Sequence, residues 1–473
     1  MSTPPHDGQW PSPQHNQYPQ QPPNPQQPYP QQPYPQQEYP QAGHGQPWGQ
    51  QPWGQPPAQP FQLLPPQQPP PRSRRGLVIG LVVALVVLLG GGGTWFALSQ
   101  RDSIASGAAT PTEAARNLAT ALSGSDVVGM IGALAPAEAK LLTEPVGQAT
   151  GELKRLGILK PDADPRALTG LQVKAENLTF DETGAEQVND HLTITKLTGG
   201  TLTVTADPAR LPLSDQLMDQ MPAGQGPQTN TIDIARQVRR SGEPVRIATV
   251  KVDGEWYPSL LYTVADYALR EAHEPWPSTS IPARGASSAN EAVEQLLQAA
   301  LDADVTRVIE LLPPDEMAVL HDAGPAIVAA AREDAEPSGA KVLDLTTETS
   351  PVPGGTRATV TRVRLQGPDG DTYTLTKKGD CYEATGEGRT EELCADYLAD
   401  NIEHEIGSSV PAEVTAVLRH LSSGVLSQGL GIVTTEIAGQ HYVSPLRTYT
   451  ELGLTVLRSL QPEDITALLH LAG

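Results

Sequence analysis

Phenylalanine occurs three times in 473 residues, cysteine twice, and 54 acids outnumber 32 lysines and arginines. Each scarcity excludes a class of function. The cationic deficit argues against nucleic acid, whose recognition needs clustered Lys and Arg beside stacking aromatics, and against docking on anionic headgroups. Two cysteines without further ligands at the right spacing do not make a zinc site. Their spacing also departs from the C-x-x-C of a redox pair. The sequences G-x-G-x-x-G, G-x-x-x-x-G-K, G-x-S-x-G and H-E-x-x-H are absent, and with them the local chemistry of dinucleotide binding, phosphate cradling, serine hydrolysis and zinc proteolysis.

Charge is almost missing from the first 71 residues, which hold only Asp7 and Glu38 as ionised side chains among 23 prolines and 20 glutamines. Such a composition cannot bury a core, so residues 1–75 are expected to be a disordered tail stiffened toward polyproline II. Its QQPYP and QPWG repeats leave Tyr18, Tyr29, Tyr34, Tyr39, Trp10, Trp48 and Trp53 exposed. The tail is either a docking element for aromatic-lined grooves or a passive spacer.

Gly76 to Leu98 then runs 23 residues without charge. At about 1.5 Å per residue a helix of this length spans roughly 34 Å, so residues 76–98 are expected to be a transmembrane helix rather than a shorter signal-peptide core. Arg72, Arg74 and Arg75 precede it and only Arg101 follows closely, which places the N-terminus in the cytoplasm and the rest outside. The expected localisation is the cell membrane, single-pass. Setting aside the three arginines and two acids before residue 76 leaves 29 cations against 52 acids, a charge of −23 on the remainder. In an oxidising compartment Cys381 and Cys394 are expected to be bridged, closing a polar loop of about 14 residues and stabilising the fold by about 3 kcal/mol.

After a linker at 99–110 the chain repeats itself. Pro111–Leu142 aligns without gaps over Ala289–Leu320, with 11 of 32 positions identical. Apolar positions Ala114, Ala115, Leu118, Ala121 and Leu122 match Ala292, Val293, Leu296, Ala299 and Ala300 at helical spacing. Asp126 and Asp304 are expected to cap a second, short helix. HLTITKL (191–197) matches RATVTRV (357–363), TLTVT (201–205) matches TYTLT (372–376), and TVKVDGEWYPSLLYT (249–263) matches TTEIAGQHYVSPLRT (434–448). These alternating segments with glycine turns read as antiparallel strands. The fold class is therefore expected to be α+β: two tandem duplicated domains, 111–272 and 287–460, each an N-terminal helix packed on a curved antiparallel sheet. A proline-rich linker at 273–286 separates them, and a short helix closes the chain at 461–473.

A helix followed by a curved sheet whose last hairpin reads Asp253-Gly254-Glu255-Trp256-Tyr257 resembles the cone-shaped nuclear transport factor 2 and ketosteroid isomerase superfamily. The second copy carries Ala438-Gly439-Gln440-His441-Tyr442 in its place. The layout of tail, single span and paired domains also resembles envelope proteins of high-GC Gram-positive bacteria. Enzymes of the cone superfamily use buried carboxylates and tyrosines, so the resemblance marks Tyr257, Tyr262, Asp266 and Tyr267 as a candidate pocket. The second copy places Arg447 where the first has Tyr262, so no shared catalytic set survives. Without function, these residues would be rim positions with hydroxyls in water.

Weaker patterns reduce to chance. Ser338-Gly339-Ala340-Lys341 has S-x-x-K spacing but leads into a strand and lacks K-T-G and S-D-N partners. Glu403-His404-Glu405 points three ways on a helix, and Asn177-Leu178-Thr179 is a sequon without bacterial meaning. The expected function is a non-catalytic scaffold or adaptor with protein partners on both sides of a membrane, without cofactor or metal. The alternatives are binding of a small apolar ligand in one or both cones, and an isomerase-like enzyme.

Overall fold

The computed structural model describes residues 107–123, 131–164, 170–220, 226–332, 336–406 and 411–472. The expected tail, the apolar span and Asp126 lie outside them, as does the linker up to residue 106.

The first half opens with α1 (Pro111–Ser123), where Thr110 Oγ1 accepts from Glu113 N and proline occupies the first turn. Helices α2 (Pro136–Thr143) and α3 (Val146–Arg155) follow. Strands β1 (Leu171–Gln187) and β2 (Leu192–Ala206) form a long antiparallel pair. After α4 (Asp215–Gln220) come β3 (Gln228–Asp233), α5 (Ile234–Ser241), β4 (Val245–Val252), β5 (Glu255–Pro258) and α6 (Leu260–Glu271). The sheet runs β1-β2-β4-β5, with β3 also on β2.

The second half repeats this plan. Helices α7 (Ala289–Leu301), α8 (Val305–Glu310) and α9 (Ala318–Ala331) precede β6 (Lys341–Val352), β7 (Gly355–Gln366) and β8 (Thr372–Lys378). A hairpin of β9 (Cys381–Gly386) and β10 (Arg389–Cys394) leads to α10 (Ala395–Ile406) and α11 (Ala412–Gln428). Strands β11 (Gly431–Ile437) and β12 (Gln440–Val443) and helices α12 (Pro445–Ser459) and α13 (Pro462–Ala472) complete the chain. The sheet order is β10-β9-β8-β7-β11-β12, with β6 on β7.

The connectivities coincide around one central strand. The first half of β2 (192–197) pairs with β4 and its second half (201–206) with β3, while β1 covers both. Likewise β7 gives 356–359 to β11, 362–366 to β8, and its length to β6. The final hairpins turn through Asp253-Gly254 and Ala438-Gly439, all four at positive φ (49°, 91°, 52° and 76°). Two consecutive left-handed residues make the tight turn whose twist suits paired strands.

One strand expectation is corrected. HLTITKL and TLTVT are not two strands joined by a turn but one continuous β2. At Gly200 (φ 115°) the strand bends beside register shifts in β1 after Glu176, so it leaves β4 and joins β3 without reversing. The counterpart of β8 is thus β3, not 201–205. The loop expected between the cysteines is the β9–β10 hairpin, and Cys381 and Cys394 are bonded as a directly opposed cross-strand pair.

The expected membrane-crossing helix is also corrected. No helix among the described residues is long and apolar enough to cross a membrane. The longest, α11, has 17 residues, about 25 Å against a hydrocarbon core of about 30 Å. It also carries Glu413, Arg419 and His420. The architecture is α+β with curled antiparallel sheets, and the segment expected to span, 76–98, lies outside the described residues.

Apolar cores cross between the halves. Leu153, Leu156, Ile158, Leu159, Leu213 and Leu217 pack with Val417, Leu457 and Leu460, and Val319 joins Leu192, Ile194, Ala248 and Val250. Each fully buried leucine or isoleucine contributes about 1.5–3 kcal/mol, so separating the halves would expose a shared core. The 273–286 segment is not a loose spacer. Ile281 is buried, its N–H donates to His321 O, and the Trp276 ring stacks 5.8 Å from that of Tyr262.

Candidate functional site

The helices that close each sheet, α6 and α12, begin alike. Ser259 and Ser444 sit at their N-caps, accepting from Tyr262 N and Arg447 N respectively. Each serine hydroxyl also donates to a buried glutamate, Ser259 to Glu138 Oε1 and Ser444 to Glu316 Oε2 (2.6 Å). These glutamates occupy the same position in the aligned repeats.

Three residues into each helix the chain reaches across to the other repeat. The Tyr262 hydroxyl donates to Asp322 Oδ2 at 2.7 Å. From the opposite side Arg447 donates through Nη1 to Glu144 of the first repeat and through Nε to Glu316 of its own (2.6 Å). Asp322 and Glu144 lie at the same offset, two residues past the end of the aligned segments. The two halves therefore exchange reciprocal bonds, the pattern of a two-fold dimer interface written into one chain. Leu261 and Leu446 pack on one cluster of Leu141, Leu312 and Met317 between these bonds.

Asp322 collects three donors: Tyr262, His191 Nε2 at 2.6 Å and Ser280 Oγ at 2.5 Å. Burial alone would raise its pKa, but the bonds from His191, Ser280 and Tyr262 outweigh this and hold it below the usual carboxylate range. The bond to Asp322 in turn raises the His191 pKa against its partial burial. Burial, with the adjacent Asp322 charge, pushes the Tyr262 phenol well up, so it stays protonated. Burial also raises Glu138 despite its bonds from Ser259 and Leu260 N.

These groups do not form a nucleophilic relay. Ser280 and His191 each bond the same carboxylate, on different oxygens, whereas serine catalysis needs histidine between serine and acid. Ser338, of the S-x-x-K stretch, donates to Leu301 O, and Lys341 opens β6. Among the described residues no cluster of three His, Cys, Asp or Glu side chains could hold a metal ion.

The four candidates marked by the sequence do not converge on one pocket, and they are not rim residues with free hydroxyls. Tyr257, Tyr262 and Asp266 are all buried. Tyr257 donates to Glu255 Oε2 at 2.9 Å and lines a cavity beside α1. Tyr262 lines a different cleft, between the repeats. Asp266, 2% exposed, takes a bidentate ion pair from Arg246 (2.6 and 3.0 Å) and a bond from Trp276 Nε1 at 3.0 Å. Arg246 also donates to Glu186, which its bond holds at a pKa of about 2. Both carboxylates are thus held by the same guanidinium. Tyr267, partly exposed, accepts from Arg246 N.

His191, Asp322, Ser280, Glu138, Glu316 and Glu144 escaped sequence reasoning. The signal available was the identity of Glu138 with Glu316 and of Ser259 with Ser444 in the alignment. No family model, curated protein or solved structure matches this chain.

Proposed function

We propose that this protein is a non-catalytic scaffold or adaptor that works outside the cytoplasm, with the paired repeats as one rigid acidic body. The observation that carries this reading is the fate of the polar cluster. Tyr262, His191 and Arg447 are spent on carboxylates of the other repeat, and the two serines and their glutamates on fixing a helix start within each repeat, so this chemistry serves shape rather than turnover. The Cys381–Cys394 bond supports an oxidising location. Kinship of each repeat to the cone-shaped superfamily belongs to the same proposal, supported by the order of helix and curved sheet.

Apolar stripes on the two closing helices, matching at Val264/Tyr449 and Tyr267/Leu452, support protein partners. Leu260, Val264 and Tyr267 are exposed on α6, and Tyr449, Leu452 and Val456 on α12, surface that an isolated body gains nothing by exposing. Crosslinking in native cells, comparing the intact chain with Val264→Asp/Tyr449→Asp and with a chain lacking residues 1–71, tests the reading. Partners lost with the stripe variant support it. An unchanged crosslink pattern in both variants refutes it.

A second reading, binding of a small apolar ligand, is favoured by the cleft of about 200 Å³ between the repeats.

A further inference from the structure

Each closing helix carries on its flank a helix from the other repeat. Helix α3 packs along α12, Gln148 Oε1 accepting from Arg458 and Leu457 O from Arg155 (both 2.8 Å), and α9 packs on α6. The outward faces of these pairs avoid charge. All four exposed positions of α12 are apolar: Pro445, Tyr449, Leu452 and Val456. The exposed positions of α9 are Ala329 and Ala330, and on α6 exposed charge appears only at Arg270 and Glu271, in the last turn. On α3, Gly147 and Gly151 lie one turn apart, and a Cβ at either would meet no described atom within 4 Å, which leaves room for a neighbouring helix to come close.

Val264 is 68% exposed and Tyr449 73%. With Leu260, Tyr267, Leu452 and Val456 they make six large side chains about half exposed. At roughly 200 Å² each this is about 600 Å² of apolar surface, the upper end for a monomer and most of the roughly 800 Å² that each partner gives to a stable interface. The arrangement indicates what covers it. Leu261 and Leu446, each the second residue of its helix, pack on one cluster of Leu141, Leu312 and Met317, so α6 and α12 both start at the junction of the repeats and run outward from it. Two copies stacked over that junction bring matched helix positions together. Pairing α6 with α6 would set Val264 on Val264 and Tyr267 on Tyr267. Pairing α6 with α12 sets Val264 against Tyr449 and Tyr267 against Leu452, large against small at both, which is the pattern that interdigitates. We propose that a second copy of this chain covers these faces, α6 of each copy packing on α12 of the other.

This deepens the scaffold reading, on which it rests, by naming the partner. The contact is isologous: each copy gives and receives the same pair of helices, so assembly closes at two. It leaves the acids outside the covered surface, where repulsion between two bodies of like charge is screened beyond about 8 Å at physiological salt.

The test co-expresses two differently tagged full chains in native membranes, one carrying Val264→Cys and the other Tyr449→Cys. The two native cysteines are bonded to each other, so each variant adds the sole free thiol. Mild oxidation should give a mixed dimer on a non-reducing gel, at least tenfold above the dimer from either variant expressed alone. Copurification of two tagged parent chains should fall at least tenfold when both copies carry Val264→Asp or both carry Tyr449→Asp. It should recover in part when one copy carries each change, because one of the two α6–α12 contacts is then intact. Since both positions are exposed, urea midpoints of the aspartate variants should match the parent, which separates lost association from lost folding. Parent chains that do not copurify would overturn the second copy and leave the scaffold reading to its own crosslinks. Copurification indifferent to both aspartates would overturn the surface, and Val264→Cys linking to itself as readily as to Tyr449→Cys would overturn the pairing.

Discussion

Arg447 is the cation on which buried Glu316 and half-buried Glu144 depend, and replacing it should cost more than any other single contact between the repeats. Its side chain is 9% exposed, that of Glu316 6% and that of Glu144 16%. Arg447→Met keeps most of the volume and removes the charge, leaving Glu316, among the described residues, with only the Ser444 hydroxyl and Glu144 with no cation. Breaking a buried pair by deleting one partner costs about 3–5 kcal/mol, because the surviving charge has lost its compensation. With a urea dependence of about 3 kcal/mol/M, the midpoint followed by circular dichroism should fall by more than 1 M. Neutralising the acids as well, in Arg447→Met/Glu144→Gln/Glu316→Gln, should restore much of the loss, since amides tolerate burial that carboxylates do not. A loss below about 1 kcal/mol in the single variant would refute the reasoning. So would a triple variant as unstable as the single one.

Three further outcomes are expected. The His191 link titrates: its folded pKa is raised, so its contribution is fully present below the unfolded value of about 6.5 and is lost as pH rises through the folded value; urea midpoints measured from pH 6 to 9 should fall in the parent chain and stay flatter in His191→Gln. Ser444→Ala removes both a helix cap and a donor to buried Glu316, and should cost about 2 kcal/mol in the same urea assay. Alkylation and mass spectrometry of the non-reduced protein should find no free thiol at Cys381 or Cys394, and reduction should lower stability by up to about 3 kcal/mol.

Much of the fold was legible because it depends on local pattern. The helix at 289–301 follows from apolar spacing, Ser288 caps it, and Asp304 caps the next helix through Arg307 N as its position implied. The last hairpins were legible through their glycines. The β2 strand was not, because Gly199-Gly200 reads as a turn in isolation. Only the paired bulges of β1 and the arrival of β3 make a bend the lower-energy choice. Likewise Pro275, Pro277 and Pro282 mark a linker by composition, yet Trp276 and Ile281 bury it against the repeats.

The site was less legible, since its bonds join residues far apart in sequence: Tyr262 to Asp322, and Arg447 to Glu144. Tyrosine in one copy and arginine in the other looked like a catalytic set decaying. In the structure the two are alternative answers to the same requirement, a donor for the carboxylate arriving from the other repeat. A guanidinium brings its own positive charge. A phenol brings none, so the Tyr262 half must find its cation separately, and His191 supplies it on the same Asp322 oxygen. Histidine loses that charge near neutral pH and arginine does not. Of the two reciprocal links, pH sensitivity therefore falls on the one built from Tyr262 and His191, beside the cleft between the repeats.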